Sequence, residues 1–215
     1  MGFRSNFAGF LGSVLLYAMA AAGQTSITVL VNDSASVEPE ILRRAEVEAS
    51  RLFESAEISI QWRHCTETDA CRRGLLRNEL VLHIVPTGKT QSEFVFGEAF
   101  LGEDGRGQYS DVFFDRVRLV PGNIDVGKLL GVVATHELGH LLLGSHAHSR
   151  LGIMEPIWEK ATLRKVGMGT LLFTPEQARL MRHRIGEADC VWSRSFPKTD
   201  RDLGLLSSST PGLRF

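Results

Sequence analysis

Residues 136 to 140 read His-Glu-Leu-Gly-His, with Val-Val-Ala-Thr before them and Leu-Leu-Leu after. Histidines at positions i and i+4 share one face of a helix, where two imidazoles can grip a single Zn2+ ion. Glu137, next to the first histidine, then falls beside the ion, where it can take a proton from a water. Two plain helix histidines with a solvated Glu137 are the competing reading, because the short motif also arises by chance. The setting favours the metal. Charged side chains seldom bury without partners, and this triplet interrupts an apolar helix; neutral imidazoles ligating an ion would resolve that conflict.

Gly144 follows the three leucines and is the residue type that ends a helix in a left-handed turn. Ser145-His146-Ala147-His148 comes next, so four of the seven histidines fall within thirteen residues. A catalytic zinc takes three protein ligands and keeps one position open. Either His146 or His148 would supply the third ligand. A different zinc-peptidase plan takes it from a later glutamate, for which Glu155, Glu159 and Glu176 are the candidates.

These residues resemble the metzincin clan of zinc peptidases, whose extended motif HExxHxxGxxH is followed by a methionine turn beneath the metal. The run His148-Ser149-Arg150-Leu151-Gly152-Ile153-Met154 is also similar to that of small exported bacterial HExxH proteins. The resemblance implies a metzincin-like α+β fold over residues 26 to 186, a Zn2+ cofactor and Met154 as the turn methionine. An ordinary core methionine is the other reading of Met154. One departure matters: the clan's glycine position is held by Leu143, with Gly144 one residue later. Strict counting then puts His146 at the third-ligand position, whereas a late helix exit and the His-Ser-x-x-Gly-Ile-Met run favour His148. The resemblance further implies that an extended peptide lies antiparallel to an exposed strand before the active-site helix, here residues 107 to 114. The clan's tyrosine after the methionine turn has no counterpart, since Tyr109 is the last tyrosine.

The surrounding elements must hold this helix. Residues 26 to 32, SITVLVN, are rich in β-branched side chains and predict a buried strand. Residues 38 to 56 carry apolar side chains at helical spacing, with Pro39 at the start. Strands are expected at 57 to 63, 80 to 86 and 108 to 117, and a glycine-rich loop at 97 to 107. Helix signals span 126 to 143. A loop-rich stretch then leads to Thr174-Pro175-Glu176-Gln177, a capping-box start for a last helix reaching about residue 185. The expected architecture is a mixed twisted sheet of about four strands, with one helix after the first strand, an active-site helix, a methionine turn and a C-terminal helix.

The first 23 residues have the form of a secretory leader: Arg4, an apolar run over 7 to 17, and the small residues 18 to 23. That run is shorter and more interrupted than the roughly 20 apolar residues of a spanning helix. A secreted or periplasmic chain follows, with a zinc peptidase domain at 24 to 190 and a poorly ordered tail at 191 to 215. Export permits disulfides, and Cys65 with Cys71 is the favoured pair, leaving Cys190 over. A net charge of −1 offers no global attraction for nucleic acid or an anionic membrane, so the expected partner is a peptide or protein substrate. The function these residues support is a secreted zinc endopeptidase with Glu137 as general base. The alternatives are a non-catalytic zinc module and a histidine-based metal-binding protein.

Overall fold

The computed structural model describes residues 25–65, 74–88, 95–120, 122–156 and 158–195, with side chains to Glu187. The expected leader at 1 to 23 lies outside them, as does the expected tail from 196 onward. Five strands form one sheet: β1 (Ser26–Asp33), β2 (Ser59–His64), β3 (Glu79–Val85), β4 (Gly97–Phe100) and β5 (Tyr109–Phe113), in spatial order β2-β1-β3-β5-β4. The pairs β1–β2, β1–β3 and β3–β5 are parallel, and β4 runs antiparallel to β5 at the edge. Parallel strands need crossovers, and helix α1 (Pro39–Glu54) supplies the one from β1 to β2.

The period of two in the strands directs Val29 and Val31 of β1, Leu82 and Ile84 of β3 and Val112 of β5 into one core, joined by Leu52 and Phe53 of α1. The long helix α3 (Val126–Leu143) fills the rest of that core with Leu129, Leu130, Val133 and Leu138. Phe53 is fully buried, so its truncation to alanine costs about 3–5 kcal/mol. At the start of α3, the Asp125 carboxylate accepts the Lys128 N–H at 2.8 Å, satisfying one of the free donors of the first turn. At its end Gly144 takes φ 63 and ψ 35, the left-handed conformation that glycine adopts without a Cβ penalty. The last helix, α5 (Pro175–Ser195), begins with the reciprocal box expected of its sequence. Thr174 N–H donates to Gln177 Oε1 at 2.9 Å, and Gln177 N–H to Thr174 Oγ1 at 3.3 Å.

Several expectations need correction. The glycine-rich stretch from 97 contains β4, so the sheet has five strands instead of about four. The strand expected to reach 117 stops at Phe113, and Phe114–Leu119 forms the short helix α2. Within the loop-rich segment, Lys160–Met168 is helix α4, closed by Gly169 in the left-handed region. Helix α5 continues past 185 to Ser195, so the first residues of the supposed tail are helical. Most consequentially for the site, Tyr109–Phe113 lies between β3 and β4 and is no edge; the exposed edge beside α3 is β4. Cys65 is disulfide-bonded, while the side chains of Cys71 and Cys190 lie outside the described residues. Among the described residues, no helix is long and apolar enough to cross a membrane.

Candidate metal centre

Helix α3 passes through the core with nearly every side chain from Leu129 to Leu142 buried, and His136, Glu137 and His140 are buried with the rest. The two imidazoles are fixed from behind. His136 Nδ1 lies 2.7 Å from the carbonyl oxygen of Ile153, and His140 Nδ1 lies 2.7 Å from that of Ser145. A carbonyl only accepts, so each Nδ1 must carry the hydrogen and each Nε2 is left with a lone pair. Those two Nε2 atoms face each other at 3.1 Å. Two lone pairs at that distance repel unless a cation or a proton lies between them. Tetrahedral zinc with Zn–N bonds of about 2.0–2.1 Å sets its nitrogens roughly 3.3 Å apart, close to the spacing found.

The third histidine comes from the chain that doubles back after Gly144. The ligand atoms of His136, His140 and His148 all lie within 4.8 Å of one another, the first two residues buried and the third exposed. The His148 ring centroid is 4.9 Å from that of His140 and 5.4 Å from that of His136. His146 borders the same cavity but is not one of the converging three, its ring centroid being 6.1 Å from that of His140. The late exit of the helix accounts for this, because α3 keeps its helical path through Leu143 before turning. Three histidines with free nitrogens and no charged competitor among them fit a Zn2+ ion.

The proposed glutamate ligands are not in this group. Glu155 is occupied elsewhere: its Oε2 accepts from Thr162 Oγ1 at 2.7 Å and its Oε1 lies 3.3 Å from Lys165 Nζ. Glu159 stands just before α4 without a side-chain capping bond and Glu176 lies in the first turn of α5, both exposed. Met154 is fully buried. Its sulfur lies against Gly139, where an added Cβ would sit 2.8 Å away, so the thioether packs under the turn carrying both buried histidines. The segment that delivers Met154 also delivers the Ile153 carbonyl, and so orients a ring and floors the site at once.

Burial governs the electrostatics. It lowers the His136 pKa to about 4, with the Ile153 hydrogen bond acting the other way and nearby His140 and His148 adding to the fall. His140 and His148 are lowered in the same direction, again chiefly by burial. Burial raises Glu137 to about 8, and the Glu98 carboxylate pushes it the same way. Without a cation the two buried rings are therefore neutral and Glu137 is protonated near neutral pH. Neutral ligands beside a carboxylic acid form a site that a divalent ion would convert to ligated imidazole and carboxylate.

A cavity of about 240 Å3 opens over these groups, bounded by β4 on one side and by Pro156 and Trp158 on the other. Phe96 and Trp158 both line it and stack on each other with centroids 5.8 Å apart. Gly97 borders Glu137 so closely that an added Cβ would lie 2.8 Å from Oε1. Sequence reasoning passed over Gly97, Phe96 and Trp158; the only signal for Gly97 was a glycine in a segment read as loop. A larger cavity of about 1110 Å3, bounded by Leu80, Leu142 and Arg184, contains none of the three histidines or Glu137.

No family model matches the chain, and no curated protein matches it. Among solved structures the chain is similar to an archaemetzincin from Methanopyrus kandleri, with 18% identity and a TM-score of 0.49, covering 78% of this chain and 99% of that one. It is also similar to a zinc-dependent peptidase from Methanocorpusculum labreanum, with 16% identity and a TM-score of 0.47, covering 72% and 99%. The chemistry of this site rests on its own atoms.

Proposed function

We propose that the chain is a secreted zinc-dependent endopeptidase, exported through its N-terminal leader. The observation that carries the reading is the opposed pair of Nε2 lone pairs at 3.1 Å, both Nδ1 atoms held on carbonyls, with a buried carboxylate one residue away. His136, His140 and His148 would hold the ion, leaving His146 at the rim. Zinc bound there would supply Lewis acidity, lowering the pKa of a water to near 7 and polarising a peptide carbonyl.

Glu137 takes the proton of the attacking water and hands it to the departing amine nitrogen. Its confinement against Gly97 limits the positions its carboxylate can adopt. The Ile153 and Ser145 carbonyls keep both rings in one tautomer throughout. The substrate adds as an extended strand along the free edge of β4, antiparallel to it, with main-chain hydrogen bonds fixing its register. The side chains of Phe96 and Trp158 form an apolar wall for the residue beside the scissile bond. A purely structural zinc module has no use for a buried Glu137 at this place.

The test is zinc content and hydrolysis of denatured casein by the purified chain and by Glu137→Gln. We expect about one zinc per chain in both, and turnover at least ~10²-fold lower in the variant. A chain without stoichiometric zinc, or a variant as active as the parent, ends the proposal.

A further inference from the structure

The parity of the strands sends His83 of β3 and Asp111 of β5 to the face of the sheet turned away from α1 and α3, opposite to the buried Leu82, Ile84 and Val112. The two residues are direct partners in the parallel register. His83 Nδ1 lies 3.3 Å from Asp111 Oδ1, with side-chain exposures of 32% and 23%. On its other side, His83 Nε2 lies 2.8 Å from the hydroxyl of Ser34, an exposed residue just after β1. The Asp111 carboxylate beside Nδ1 favours the tautomer with the hydrogen on that nitrogen, although the two atoms meet as an ion pair and not in hydrogen-bond geometry. Nε2 then presents a lone pair, and the Ser34 hydroxyl donates to it. Hydroxyl, imidazole and carboxylate thus stand in the order that activates a serine, the first pair hydrogen-bonded and the second an ion-pair contact.

The turn bearing Ser34 is firmly held. Ser34 N–H donates to Ile84 O at 2.9 Å, and Asp33 accepts from Ala35 N–H at 3.0 Å and Val37 N–H at 2.8 Å. Ser36, two residues on, has φ 52, a conformation uncommon outside glycine. Ser34 therefore sits between the end of a strand and the start of a helix, beside the C-terminal ends of parallel strands, where open sheets of this kind place chemistry.

We propose that Ser34, His83 and Asp111 form a second reactive centre, in which Ser34 is a base-activated nucleophile toward ester and phosphonate electrophiles. With an ester, the Ser34 Oγ–C bond forms as the ester C–O bond breaks, and the hydroxyl proton passes through His83 to the leaving alkoxide. With a fluorophosphonate, the Oγ–P bond forms, fluoride departs and the proton stays on His83. Because Asp33 occupies the amides of Ala35 and Val37, they are not free to hold an oxyanion, so acylation rather than rapid turnover is the property to measure.

The experiment treats the full chain with a fluorophosphonate and maps the modified serine by mass spectrometry. Ser36, exposed and with no imidazole in hydrogen-bond reach among the described residues, is the internal reference. Ser34 should label at least ~10-fold faster than Ser36, as base assistance predicts. His83→Gln should bring the two to the same rate, and Asp111→Asn should lower Ser34 labelling partway, with zinc content unchanged in both variants. Equal labelling of Ser34 and Ser36 in the unaltered chain overturns the proposal without any variant having to fold. So does Ser34 labelling that survives His83→Gln. Chelation should leave the labelling intact, which separates this centre from the zinc reading.

Discussion

The two faces of the sheet each carry a histidine constellation, and the difference lies in what holds Nδ1. On the α3 face, both Nδ1 atoms are given to backbone carbonyls and both rings are buried. Among the described residues their Nε2 lone pairs meet no hydroxyl, and they face each other at 3.1 Å. On the opposite face the ring is partly exposed, Nδ1 faces a carboxylate and Nε2 already meets a hydroxyl. A carbonyl fixes a tautomer without adding charge, which suits a neutral ligand; a carboxylate stabilises an imidazolium, which suits a group that takes up a proton. One residue type is thereby directed to two chemistries by the partner behind it.

The strongest break of this contrast is His136→Ala or His140→Ala. Each should abolish stoichiometric zinc, measured by elemental analysis, while Asp111→Asn on the other face should leave it intact. His148→Ala should weaken zinc affinity more than ~10-fold, and His146→Ala should change it little. Equal retention of zinc in both of these variants would contradict the three-histidine group.

Next in size is Gly97→Ala. The added methyl would meet the Asp111 carbonyl oxygen at 2.6 Å and Glu137 Oε1 at 2.8 Å, so β4 must move or the carboxylate must turn. Overpacking of this kind costs about 1–3 kcal/mol. Thermal unfolding should register that loss, and peptide hydrolysis should fall although zinc stays bound.

A proton count gives a subtler test. Glu137, raised to about 8 by burial, holds its proton at pH 7 in the metal-free chain, and a nearby divalent charge favours its ionised form. Zinc binding at pH 7 should therefore release up to about one proton, visible by calorimetry in buffers of different ionisation enthalpy. His136, with its pKa lowered to about 4, contributes almost none at that pH. The same depression sets the acid limb of stability. Between pH 6.5 and about 4 the unfolded chain binds a proton at His136 that the folded chain refuses, so stability falls as pH drops through that window.

The smallest effect is at the helix start. Asp125→Ala removes the acceptor for Lys128 N–H and should lower stability by about 1 kcal/mol without altering zinc content.

How much of this was legible follows from which forces act locally. The path of α3, its Gly144 stop and the Thr174–Gln177 box were readable because they depend on side chains three or four residues apart. Strand β1 was readable because its stretch from Ile27 to Val31 is buried on both faces and, Thr28 apart, apolar. Strand β4 was not, since GEAF turns only Gly97 and Ala99 inward, and two small side chains leave little periodic signal. The Phe-rich start of α2 reads locally as strand, and only the packing of Phe114 and Val117 makes it a helix. The Ser34–His83 contact joins residues 49 positions apart, so no local pattern could announce it. His148 lay in between: the histidines were evident in the sequence, but choosing between two of them required the geometry of the chain leaving α3.

The carbonyls of Ile153 and Ser145 belong to the strand-free segment that follows α3, whose backbone is tied down in turn by Ile153 N–H donating to Leu172 O at 2.9 Å. Loss of that clamp would free the imidazoles to rotate and swap tautomers before the helix itself unwinds. Loading with metal should accordingly slow amide exchange and protease nicking first around residues 145 to 155, making this short stretch a gauge of occupancy readable from outside the core.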